Sequence, residues 1–327
     1  MSSGEVGRTR SPATHAGWVV EVASLAVVAA TVVVSLGWPV TAGRLAVPVA
    51  VLAVLVGVPH GAVDGALLAT AEPTAGRRAA WVYLAVFAAV GAAVWLATVP
   101  AVLVLLVAAV VHFGLGEVEY ADAGPTRPGR SAGSWERVAA VVGSGGVVVA
   151  VPFAVHPQPV NSVLAALSPG LVTALSPGVR WTAAAVAVAC LAVTVACRVL
   201  SRRLREAGEG LLLLVMAFVA PPVLSFAVFF GAWHSLRHLT RLLQPSTATI
   251  AGVAPSSGGL NRRVVVWSAA ASVAVVAVVA AGLAWSGVGT VRLLALLVAG
   301  LLALTVPHAA AVAWFDTTHR RCPDLTA

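Results

Sequence analysis

Long apolar runs, broken by short polar stretches bearing Pro, Gly or Arg, organise this chain from residue 18 to residue 315. A helix needs about 20 apolar residues to cross a bilayer. Runs suited to crossing fall at 18–36, 45–68, 80–99, 101–118, 138–155, 181–200, 223–243, 264–285 and 291–315, with a shorter one at 211–220. The pattern predicts an all-α, polytopic transmembrane helical bundle of about ten spans. Pro221-Pro222 marks a sharp turn or kink, so 211–243 reads as two spans or as one broken span. Ser168-Pro169-Gly170 and Ser176-Pro177-Gly178 punctuate a stretch expected at the interface rather than across the membrane.

Composition removes the soluble alternatives. The chain is 60% apolar and 10% charged, with a mean hydropathy of +0.97; soluble domains are about 45–50% apolar and about 25% charged. So few charges cannot cover a water-facing surface, which excludes a soluble enzyme, a disordered chain and an exposed repeat array. The net charge of +8 would suggest nucleic acid in a soluble protein. Here all 20 basic residues are Arg and they sit between apolar runs, so they report topology and no nucleic acid partner is expected.

With the N-terminus inside and ten alternating segments, only Arg44, Arg180 and Arg292 fall outside, Arg237 lies within a segment, and the other arginines fall inside. That asymmetry fits the positive-inside rule with both termini cytoplasmic. The chain is expected in the cell (plasma) membrane as a multi-pass protein. It divides into a cytoplasmic tail at 1–16, a single transmembrane domain at 17–316 and a second cytoplasmic tail at 317–327. The first apolar stretch is too long for a signal-peptide core and has no clear cleavage site, so it reads as a retained span. Cys190, Cys197 and Cys322 form neither a CxxC nor a paired spacing.

Histidine carries the chemistry. His15, His156 and His319 lie in loops or tails, whereas His60, His112, His234, His238 and His308 are embedded in apolar sequence. A single embedded His can be hydrogen-bonded glue between helices; five point to a shared site. All five sit on segments running from outside to inside, at depths within a few helical turns of one another. Parallel helices bearing His at one level can converge on a metal ion.

His234 and His238 stand at i and i+4, on one helix face, able to share an ion. Asp64 follows His60 by one turn, and Glu117 follows His112 with one extra residue. A carboxylate beside a ligating His commonly fixes its tautomer and orientation. Gly61 and Gly114, directly after their histidines, admit a neighbouring helix or a bulky ligand. With no thiolate suitably placed, imidazole dominates and suits Fe, Zn or Cu. No HExxH motif accompanies the histidines, and four imidazoles leave coordination positions for O₂ and substrate, which favours iron.

Several aromatic residues flank the histidines: Phe113, Phe226, Phe229, Phe230, Trp233 and Trp314. They suit either the lining of an apolar tunnel or ordinary helix packing. Arg237 could pair with Asp64 or Glu117, or snorkel to the cytoplasmic headgroups, which is the expectation. Glu21 is read as interfacial and Asp316 as a cytoplasmic boundary residue.

The blocks Pro59-His60-Gly61-Ala62-Val63-Asp64, His112-Phe113-Gly114, His234-Ser235-x-x-His238 and Pro307-His308, in that order, resemble the Brp/Blh family of integral-membrane β-carotene 15,15′-dioxygenases. The resemblance spans most of the chain. It implies O₂-dependent central cleavage of β-carotene to two retinal molecules by non-haem Fe(2+). It implies His60, His112, His234 and His238 as iron ligands, with His308, Asp64 and Glu117 as candidates for a fifth ligand or for its surroundings. Membrane lipid and a retinal-binding rhodopsin are partners implied by the same analogy. Glu117 stands near where the family pattern suggests Asp, and the extension before Trp18 has no counterpart in the pattern. Competing classes are a haem-binding or other His-metal redox protein, a His/Asp proton-coupled transporter and, among enzymes, a carotenoid cyclase or a di-iron desaturase.

Overall fold

The computed structural model describes residues 12–71, 73–123, 133–242 and 289–320, and among these the regular structure is entirely helical. Twelve α-helices follow in order: α1 (Pro12–Gly37), α2 (Pro39–Ala71), α3 (Pro73–Leu96), α4 (Thr98–Ala123), α5 (Ser134–Val155) and α6 (Pro157–Leu167). Then come α7 (Pro169–Ala174), α8 (Pro177–Leu200), α9 (Leu204–Val219), α10 (Pro222–Val228), α11 (Leu236–Leu242) and α12 (Thr290–Arg320). A π-helical turn, Phe229–Ser235, joins α10 to α11 without a break.

Proline writes most of the boundaries. Helices α2, α3, α6, α7, α8 and α10 all begin on one. A proline at the first helical position loses no hydrogen bond there and has its φ already set. Hence α2 starts at Pro39 and α8 at Pro177, each earlier than the apolar runs alone suggest.

Among the described residues, six helical stretches are long and apolar enough to cross a bilayer: Gly17–Gly37, Pro39–Gly57, Thr98–Asp122, Ser134–Val155, Pro177–Leu200 and Val291–Trp314. Trp81–Leu96 is a shorter apolar helix. The chain is therefore a membrane protein. Large side chains such as Trp81, Trp95, Val104 and Leu36 are more than 60% exposed, which would be costly in water and is natural against lipid. Helices α6 and α7, 11 and 6 residues long, are too short to cross. In the stretch 211–243, Ala220-Pro221 separates two helices with different neighbours. The first, α9, packs on α1, α5 and α8, while α10 and the π turn pack on α2. The expected run at 264–285 lies outside the described residues.

Backbone approach sets the centre of the bundle. A Cβ at Gly145 on α5 would fall 1.9 Å from the Val110 carbonyl oxygen on α4, and one at Gly114 would fall 2.0 Å from that of Val141. In lipid, where apolar surface gains little by leaving its surroundings, such small-residue contacts are what hold helices together. Gly114 thus admits a neighbouring helix rather than a ligand. It fixes α4, and with it His112, against α5.

Candidate metal centre

Four of the five embedded histidines meet. His112 on α4, His234 in the π turn, His238 on α11 and His308 on α12 are all buried. The His112 ring centroid lies 5.1 Å from that of His234, 6.4 Å from that of His238 and 4.9 Å from that of His308. His238 lies 5.7 Å from His234 and 5.4 Å from His308. His60 and Asp64 lie on α2, but their side chains are outside the described residues. The backbone beside His60 does reach the cluster, because a Cβ at Gly61 would lie 4.0 Å from His308 Nδ1.

Local sequence explains how these rings are presented. Pro307 removes one backbone hydrogen bond from α12 immediately before His308. The π turn widens the helix that carries His234, a distortion that recurs at functional sites. Hydroxyls satisfy two of its carbonyls: Ser235 donates to Phe230 O at 2.6 Å, and Ser24 on α1 donates to Ala232 O at 2.6 Å. The i and i+4 spacing of His234 and His238 is legible in sequence, whereas the π turn is not.

The donor set fits a metal in kind. Buried neutral imidazoles suit first-row transition metals, and these four crowd one small region. Among the described residues no three His, Cys, Asp or Glu side chains are yet drawn together closely enough to hold an ion.

Below the histidines lies a layer of buried charge. Arg237 is 2% exposed. Its Nη1 donates to Glu209 Oε2 at 2.9 Å and lies 3.7 Å from Glu117 Oε2. The guanidinium lies 3.5 Å from the centroid of Trp233 and 5.1 Å from that of Tyr120. Arg237 is therefore not a snorkelling residue; two carboxylates and an indole hold it inside. Arg241 pairs with Glu119 at 2.8 Å and with Asp316 at 3.1 Å, so Asp316 ties α12 to α11. Glu21 accepts from Arg205 at 2.8 Å and from Tyr120 at 3.2 Å. Arg205 also donates to Glu209 at 2.9 Å, and its hydrogen bonds with Glu21 and Glu209 hold its guanidinium above the ordinary pKa, so it stays charged. Sequence reading missed Glu209. Its one signal was an acid, Glu209, at the mouth of an apolar run beginning at Leu211.

An apolar cavity of about 340 Å³ opens from the histidines. His112, His308 and Gly61 lie on its wall, with Phe113, Phe226 and Phe230 nearby. Along α12 it is lined from Leu293 to His308, roughly 22 Å at 1.5 Å per residue. Phe226 and Phe230 stack with an interplanar angle of 4°, and Phe113 meets Phe226 edge-on. The other three aromatics expected on this wall are elsewhere. Phe229 packs in the core against Phe113 and His234, Trp233 lies beneath Arg237, and Trp314 is 43% exposed. Apolar periodicity marks burial in protein or in lipid alike, and so cannot tell a cavity wall from a packed core.

Known proteins resemble this chain in sequence. The family described as beta-carotene 15,15′-dioxygenase matches residues 51–316. A relative from Halobacterium salinarum named "Probable beta-carotene 15,15′-dioxygenase Blh" is 33% identical over 300 residues, covering 80% of this chain and 81% of the relative. No solved structure matches the chain.

Proposed function

We propose, from the premise that the chain belongs to the β-carotene 15,15′-dioxygenase (Brp/Blh) family of enzymes, that it cleaves the central 15,15′ double bond of β-carotene with O₂ to give two molecules of retinal. The cleavage site is an Fe(2+) centre within the membrane, held by His60, His112, His234 and His238, with His308 beside it as a fifth ligand or a neighbour. The observation that carries this reading is the apolar cavity ending on His112 and His308. A hydrocarbon dissolved in the bilayer needs such a wall, and a redox centre needs such imidazoles at its end.

Bound iron supplies O₂ binding and activation. The chain supplies the rest. The wall from Leu293 to His308 binds the polyene by excluding water along its length. Phe113 lies 5.0 Å from His234, ring to ring, and the face of an aromatic ring at such a place stabilises positive charge developing on a polyene. Arg237 and its carboxylate partners form a buried layer beside the site.

The same reading makes 17–316 one catalytic domain of about ten spans in the plasma membrane, with both termini in the cytoplasm. Its partners are membrane lipid and, downstream, a retinal-binding rhodopsin. Expression in a β-carotene-producing bacterium tests the activity. Retinal should accumulate as pigment is lost, and His238→Ala should stop both. Pigment retained without retinal, despite folded protein in the membrane, would overturn central cleavage.

A further inference from the structure

We infer that Arg237 is a positioning residue: its buried ion pairs with Glu209 and Glu117 hold the π-helical register that turns His234 and His238 towards one centre. The inference rests on the metal-centre reading above. Arg237 lies three residues after His234 and immediately before His238, in the first turn of α11 just beyond the π turn Phe229–Ser235. A π turn holds one residue more than an α turn. Relaxing it to α would rotate everything beyond it by about 100° about the helix axis.

The hydroxyls of Ser235 and Ser24 make the wide turn tolerable by occupying its carbonyls, but they do not choose it over the α alternative. Arg237 does. Its carboxylate partners come from α9 and α4, outside the helix whose register is at stake, at 2.9 Å and 3.7 Å. With 2% exposure, the guanidinium has no water to fall back on, and a buried charge stripped of its partner is strongly disfavoured. The α register would carry Arg237 off both carboxylates and off the Trp233 face, 3.5 Å away. It would also swing the His238 ring away from His308, now 5.4 Å from it. The ion pairs and the histidine pair are thus two readouts of one helical register.

The test uses the full chain in detergent, in which Glu117→Leu, Glu209→Leu and Arg237→Met are combined. Buried ion networks replaced by apolar groups of similar volume commonly keep their fold, so a purely structural role would be rescued. A cryo-EM structure of this variant should show 229–235 as α-helix. Co(II) affinity should fall at least tenfold, with an altered visible d–d spectrum. A retained π turn, or Co(II) bound with unchanged affinity and spectrum, would overturn the inference. If the triple variant does not fold, Arg237→Lys keeps the charge and loses the fork. Several-fold weaker Co(II) binding is then expected, and unchanged binding overturns the proposal. Wild-type protein that takes no Co(II) would instead defeat the metal-centre reading, and the register comparison would still decide the role of Arg237.

Discussion

Gly116 faces the His234 imidazole so closely that a Cβ on it would fall 2.8 Å from Cε1 and 3.2 Å from Nδ1. The missing side chain lets α4 bring His112 within 5.1 Å of His234, ring to ring. Gly116→Ala should therefore push the His234 ring aside. Co(II) affinity is expected to fall about tenfold, equivalent to roughly 1.4 kcal/mol, while helix content is kept. In a His234→Ala background the same change should cost nothing in thermal stability, because the three nearest atoms to the added methyl all belong to that ring. An equal cost in both backgrounds would show that the contact does not govern position 116.

The α4–α5 contact should be intolerant of any added carbon. A methyl at Gly145 meets the Val110 carbonyl oxygen at 1.9 Å, and backbone cannot move aside as a flexible side chain can. Gly145→Ala is expected to destabilise the protein by about 3 kcal/mol or more in a denaturing-detergent titration. Gly208→Ala on α9, where a Cβ meets nothing within 4 Å, should be neutral or stabilising by up to about 1 kcal/mol. Similar losses at both positions would argue against direct packing of α4 on α5.

Filling the cavity should separate substrate binding from metal binding. Ala109 is 3% exposed and lines the cavity one turn before Phe113. Ala109→Phe should lower kcat/KM for β-carotene at least tenfold and leave Co(II) affinity unchanged, at an overpacking cost of about 1–3 kcal/mol. Unaltered turnover would mean that the polyene lies elsewhere.

The ion-paired residues around Arg241 and Arg137 should differ in worth according to burial. Arg137, with a side chain 34% exposed, pairs with Asp122 at 2.9 Å, and Arg137→Ala should cost under about 1 kcal/mol. Arg241 is 10% exposed and serves both Glu119 and Asp316. Its replacement by Ala strips the countercharge from half-buried Asp316 and leaves Glu119 with only Arg137, 3.8 Å away, and about 3 kcal/mol should be lost. Comparable effects of the two substitutions, measured in the same unfolding assay, would contradict this ranking.

By itself the sequence determined the helical, membrane-embedded character of the chain and the expectation of a shared depth for its embedded histidines. Both follow from one-dimensional properties. Apolar run length matches bilayer thickness, and position along a helix converts directly into depth, so His60, His112, His234, His238 and His308 could be placed near one level before any packing was known. Depth says nothing of rotation, however. Which face of a helix points inwards depends on its neighbours, and a single π turn, stabilised by a hydroxyl from α1, re-aims everything after it. Only the tertiary structure could bring Glu209 to Arg237 across 28 residues of chain, turn Gly116 towards His234, or leave Phe226 on a cavity wall and Phe229 in the core. Those outcomes belong to pairs of surfaces, and no single stretch of sequence carries the physical information that decides them.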